Sequence, residues 1–118
     1  MSTLKADTIQ STSGGAATLT KQAGVKMYAK TSGTYTAFGS DSLNADSLVD
    51  NGTGDVTINF TNSFSSTSYS TTSNADATGA VMTTYSSEAA SSIDIRAHNS
   101  SGSDTGNNIA LQIVGDLA

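Results

Sequence analysis

His98 is the only histidine in a chain of 118 residues. It closes the run Asp94-Ile95-Arg96-Ala97-His98, where strict alternation places Asp94, Arg96 and His98 on one face of a strand. A Ser-His-Asp set would need a positioned serine on that face. No G-x-S-x-G elbow occurs in the sequence, and serine is so abundant that one near the imidazole is expected by chance. An exposed cross-strand polar row accounts for the three residues more simply, so no catalytic residue is assigned and the chain is read as not an enzyme. The carboxylates offer two groupings with the look of cation ligands, Asp50 with Asp55 and Asp104 in a later loop. Neither has the calcium-loop spacing that ends on a bidentate glutamate. Turn formation explains Asp50 and Asp55 without a cation, and no metal or cofactor is expected. Tyr28, Tyr35, Tyr69 and Tyr85 could stack on sugar rings or a partner. Core packing or subunit contact weighs more, and the sequence does not choose among the four.

The elements that must position these residues are strands. From Ser42 to Phe60 the chain reads as two strands joined by a glycine-rich turn, Asp50-Asn51-Gly52-Thr53-Gly54. Asn51, Gly52 and Gly54 supply the conformational tolerance that closing a hairpin needs, with Asp50 as a local hydrogen-bond acceptor. Val56, Ile58 and Phe60 alternate with Thr57 and Asn59, the pattern of a half-buried strand. Leu43, Ala45 and Val49 share a parity that Leu48 breaks, which predicts a bulge or bend before the turn. Val25, Met27 and Ala29 mark an earlier strand. A short one follows over 34–38, with Tyr35 and Ala37 on one face. Phe64 anchors a corner over 61–68 and Tyr69 opens the next strand, a polar edge over 70–76. A turn is read at 77–79, a strand at 80–85, a break at 86–91 and a strand at 92–99 that buries Ile93, Ile95 and Ala97. The loop SSGSDTGNN, 100–108, leads to the last strand, where Ile109, Leu111 and Ile113 oppose Ala110, Gln112 and Val114 and both faces are expected to be buried.

This makes about seven or eight short strands at the spacing of a sandwich or barrel. The predicted fold is all-β: an antiparallel β-sandwich with jelly-roll or Greek-key connections over 25–118, preceded by an extended N-terminal arm over 1–24. Leu4, Ile9 and Leu19 are the arm's main apolar anchors. They bury too little to offset the entropy of ordering the segment alone, so the arm is expected to dock on a neighbouring subunit or a larger assembly. Net charge is −5, and the five basic residues form no cluster; phosphate recognition needs one, so nucleic acid is not an expected partner. No stretch approaches the ~20 apolar residues of a membrane-spanning helix, and the N-terminus lacks the pattern of a secretory signal. Cysteine is absent, which excludes disulfides and thiolate metal sites.

The run SLNADSLVDNGTGDVTINFT, followed by Phe64, Tyr69, SSIDIRAHNSSG and a closing Ile113-Val114-Gly115, resembles the C-terminal module of tail-fibre proteins of bacteriophages, especially phages of marine bacteria. The resemblance runs from about Val25 to Ala118, with VDNGTGDVTINF its most specific part. Where family members often open with Arg-Ala-Trp-Val and a phenylalanine, this chain has Val25-Lys26-Met27-Tyr28-Ala29. The arm, MSTLKADTIQSTSGG, is similar to the start of short virion-fibre proteins. The resemblance implies a β-sandwich homotrimer assembled through the arm, located on the surface of a phage particle, with other virion proteins of tail or major capsid as partners. It implies an outer contact loop carrying Ser100, Asp104 and Asn107, facing a host glycan or receptor. The short chain also fits a capsid decoration protein. A soluble carbohydrate-binding module is a further alternative, supported by the strand pattern and the tyrosines.

Overall fold

Alternation of apolar and polar residues decides which side chains enter the interior. The computed structural model describes residues 24–77 and 81–117, so the arm anchors Leu4, Ile9 and Leu19 and most of the 77–79 turn lie outside the described residues. Seven strands follow in order: β1 Val25–Lys30, β2 Ala45–Gly52, β3 Asp55–Phe60, β4 Ser70–Asp76, β5 Val81–Ala89, β6 Ser92–Asn99 and β7 Asn108–Val114. They form two antiparallel sheets, β1-β7-β4 and β2-β3-β6-β5. Their inner faces pack together as a β-sandwich. The pairing is interleaved, since β3 lies beside β6 and β4 beside β7 although other strands intervene in the chain.

Val56, Ile58 and Phe60 from β3, Ile93 and Ile95 from β6, and Ile109, Leu111 and Ile113 from β7 are all buried, joined by Met27, Ala29, Phe64, Tyr69 and Ala97. β-branched side chains dominate because they pack well on a pleated surface and lose little rotamer freedom there.

Several local expectations fail for identifiable reasons. Residues 34–38 form a turn with one isolated bridge, Thr31 to Phe38, and no strand. Tyr35 adopts a φ of 50° there, and the Ser32 hydroxyl accepts hydrogen bonds from the Thr36 and Ala37 backbone N–H groups, so local bonding replaces a ladder. β5 runs through the expected break at 86–91 as far as Ala89, absorbing the phase change in a bulge at Tyr85–Ser87. The bulge expected before the β2–β3 turn is present, at Ala45–Ser47, while a further bulge at Val25–Met27 is unexpected. Val25 and Val49 are exposed, while Ala45 and Leu48 pack on the core. β7 is buried on one face only, with Ala110 and Gln112 open to solvent.

Pairing direction gives the sandwich two distinct ends. At one lie Gly24, the corner 61–69, the Ala90–Ser91 turn and Gly115–Leu117. At the other lie the 31–35 turn, the β2–β3 turn and the 99–107 loop.

Candidate functional site

The β2–β3 turn and the 100–107 loop, far apart in sequence, meet at that second end. β2 continues to Gly52, which pairs with Asp55, so the connection is Thr53-Gly54 and shorter than the five-residue turn expected. Positive φ falls on Gly52 (133°) and Gly54 (73°), and Asn51 stays in an ordinary conformation. Asp50 accepts the Gly52 N–H at 2.9 Å, while Asn51 donates through Nδ2 to Thr57 at 2.8 Å. Gly54 is where the two loops touch. A Cβ built on it would lie 2.6 Å from the Thr105 nitrogen and 2.8 Å from the Ala97 oxygen, closer than a side chain can come. The Ala97 N–H donates to the Gly54 carbonyl at 2.8 Å and the Thr105 N–H to the Ala97 carbonyl at 2.9 Å.

The loop itself is tied down by Asn99, a residue the sequence did not single out. Its Oδ1 accepts the N–H groups of Ser101 and Ser103, at 2.9 and 3.0 Å. Of the expected contact residues, Ser100 is exposed and Asp104 lies beside His98. Asn107 is half-buried and donates to Thr105 at 3.0 Å. A cleft of about 390 Å³ opens between the loops, lined by Gly33, Tyr35, Asp50, Thr53 and Gly106 among others. Tyr35 is 3% exposed with its hydroxyl buried and without a hydrogen bond. Burial raises its pKa; the nearby Asn107 backbone opposes this, and Asp50, Asp55 and Asp104 add to it. An aromatic residue in the left-handed region is rare and strained by ~1–3 kcal/mol; the buried ring offsets that strain.

The polar row on β6 is more ordered than an open surface row. Arg96 bonds Asp55 at 2.8 Å, and the Asp55 side chain is only 13% exposed. Asp94 is held above the usual carboxylate range, first by burial and then by the neighbouring Asp55 carboxyl, with Ser86 and Arg96 pulling the other way. His98 has its Nε2 3.0 Å from the Thr84 hydroxyl and its Nδ1 2.8 Å from Asp104, though the latter pair is not aligned for a hydrogen bond. The connectivity of hydroxyl, imidazole and carboxylate is that of a triad, yet the partners are Thr84 and Asp104 in place of a serine and Asp94. Thr84 lies on the outward face of an edge strand, directly across from Arg96. The row's evident work is to tie β5 and the 100–107 loop to β6.

The opposite end is aromatic. Phe60, Phe64 and Tyr69 pack with ring centroids 4.8 to 6.2 Å apart, within the range of favourable aromatic pairs. The Tyr69 hydroxyl donates to the Ala89 and Ser92 carbonyls, at 3.0 and 3.3 Å. Gly115 leaves room for this cluster, since a Cβ there would come within 2.7 Å of Tyr69. Outside the cluster, Val25, Leu43 and Leu117 are 41, 45 and 39% exposed and border one cleft with Asn44, Thr61 and Asn62. The four tyrosines divide evenly: Tyr35 and Tyr69 are buried, Tyr28 and Tyr85 exposed. No protein-family model, curated protein or solved structure matches this chain.

Proposed function

We propose that this chain is a non-enzymatic structural protein of a bacteriophage virion: a homotrimeric, fibre-like appendage held to other virion proteins by residues 1–24, with its far end turned outward toward the host. The observation that supports this most is the polarity of the sandwich. Residues 1–24 join it at Gly24, beside the exposed apolar side chains of Val25, Leu43 and Leu117. The turn and loop that meet at Gly54 are polar, uncharged over most of their length, and lie at the opposite end. Contiguous apolar surface is characteristic of subunit contacts, and a cyclic trimer would gather three such patches around the segments that precede them. The resemblance of VDNGTGDVTINF to phage tail-fibre modules adds the virion setting.

The test has two parts. Sedimentation of the 118-residue chain is expected to give a mass three times 11.9 kDa, and a stable monomer at micromolar concentration would remove the trimer. Gold-labelled antibody against the protein is expected to mark tails of phage particles. Label spread over the head would transfer the protein to capsid decoration, and unlabelled particles would end the virion proposal.

A further inference from the structure

The outer face of the three-stranded sheet carries a cleft of about 440 Å³ that none of the preceding interactions explains. Its shape follows from register. One cross-strand row is Tyr28, Gln112 and Thr72, and the next is Lys30, Ala110 and Asn74. Ala110 is the one small side chain among these six, and it sits on the central strand, so the face dips where a larger residue would fill it. Tyr28 forms one wall, 38% exposed, with its hydroxyl donating to Asp41 at 3.3 Å. The ring is therefore held at its far end, and Tyr28 lines the same cleft as Ala110. The side chains of Gln112, Thr72 and Asn74 make no hydrogen bond among the described residues, so their donors and acceptors face solvent.

We propose that this cleft binds a neutral pyranose sugar, one ring of a glycan stacking its C–H face on Tyr28 while its hydroxyls bond Gln112, Asn74 and Asp41. The volume falls in the range of small-molecule sites, and an aromatic wall beside a few convergent amides and hydroxyls suits a ligand that is apolar on one face and hydroxylated at its rim. Charge selects a neutral sugar over an acidic one. Lys30 is the only cation among the described residues lining the cleft, and it is paired with Asp76 at 3.0 Å. Asp41 adds an acceptor and a negative charge, so a sialylated, sulfated or phosphorylated ligand meets no free positive partner. The proposal rests on the displayed-module reading for its biological meaning, because a host glycan is what such a module would meet. Its chemistry rests on the cleft alone.

The test is an amide NMR titration of the 118-residue protein with cellotriose, maltotriose and chitotriose, each to roughly 10 mM, which exceeds the Kd of a ~1 mM site. At least one trisaccharide is expected to shift Tyr28, Ala110 and Gln112. Tyr28→Ala should weaken binding about tenfold or more. Ala110→Gln, which fills the dip from an exposed position and leaves the core untouched, should abolish it. Tyr85→Ala, at the other exposed tyrosine, should leave it unchanged. No shift at the cleft with any of the three overturns the proposal. So do shifts that survive both Tyr28→Ala and Ala110→Gln, or tighter binding of sialyllactose than of the neutral sugars. A negative titration with an intact trimer and labelled particles would remove the sugar site alone. A positive one with unlabelled particles would remove the virion setting alone.

Discussion

The two ends of the sandwich solve the same problem, closing a β-sandwich between its sheets, with opposite chemistry. At the end where residues 1–24 join, Phe60, Phe64 and Tyr69 fill the opening with rings, and backbone bonds such as Phe64 N–H to Ala90 and Ser65 N–H to Asp116 close the corner around them. At the other end no such ring cluster occurs among the described residues. Backbone approaches backbone at Gly54, and Asp50, Asn51 and Asn99 bond the turns from within. One end is held by apolar volume, the other by absence of volume. The Tyr35 ring is buried at the Gly54 end too, but the contact between the turn and the loop is made by backbone against backbone.

The largest expected effect lies at the aromatic end. Phe64 is 2% exposed and touches both other rings, so Phe64→Ala should cost about 4 kcal/mol in transfer and cavity terms. Chemical denaturation with an unchanged m-value would measure it. A loss below ~1 kcal/mol would mean that the cluster does not close this end. Gly54→Ala should follow at roughly 3 kcal/mol, combining a left-handed backbone with a collision against Thr105 and Ala97. Gly52→Ala separates those two causes, because Gly52 also has positive φ but nothing lies within 4 Å of its would-be Cβ. Equal losses at the two glycines would show that conformation alone matters there and that the loop contact does not.

How much of this contrast is legible in the sequence depends on the range of the interaction. Val56, Ile58, Phe60, Ile93, Ile95, Ile109, Leu111 and Ile113 are readable as core because period-two alternation is local and reports one face directly. The bulge at Ala45–Ser47 shows in the sequence as the parity break at Leu48, whereas the bulge at Tyr85–Ser87 shifts the period without any distinctive residue type, which is why 86–91 reads as a break. The approach of Gly54 to Thr105 and the dip over Ala110 are set by pairing between strands distant in the chain. No single segment encodes them. Asn99 carries a faint signal, an asparagine at a strand end before Ser-Ser-Gly, in keeping with the preference of such residues for bonding nearby backbone N–H groups.

Tyr69 sharpens the comparison through pH. Burial first, then Glu88, push its phenol up to about 12 from an ordinary value of 10.0. A phenol whose folded pKa is raised stabilises the fold fully below its unfolded pKa and loses that contribution as pH rises through the folded value. Stability should therefore fall between pH 10 and about 12, the window set by the two values. Tyr69→Phe should lower stability at neutral pH by ~1 kcal/mol, through the lost hydrogen bonds to Ala89 and Ser92. It should also flatten the alkaline decline. Thermal unfolding of both proteins from pH 8 to pH 12 checks this, and an equally steep decline in the variant would assign it to other groups.

The smallest expected effect is a gain, and it comes from the outer face between the two ends. Asp94 is held in its protonated form to higher pH than a free carboxyl, chiefly by burial and next by Asp55. The folded state thus favours the proton, and this contribution is full below the ordinary carboxylate pKa and fades as pH rises through the folded one. At neutral pH two carboxylates share a site with one guanidinium, and Arg96 is committed to Asp55 at 2.8 Å. Asp94→Asn keeps a hydrogen-bonding group of the same shape and removes the repulsion. It should stabilise the protein by about 0.5 kcal/mol at pH 7 and by less at pH 3, where the parent carboxyl is protonated. A gain that is equal at both values would trace to side-chain packing and would clear the Asp55–Asp94 pair of any electrostatic cost.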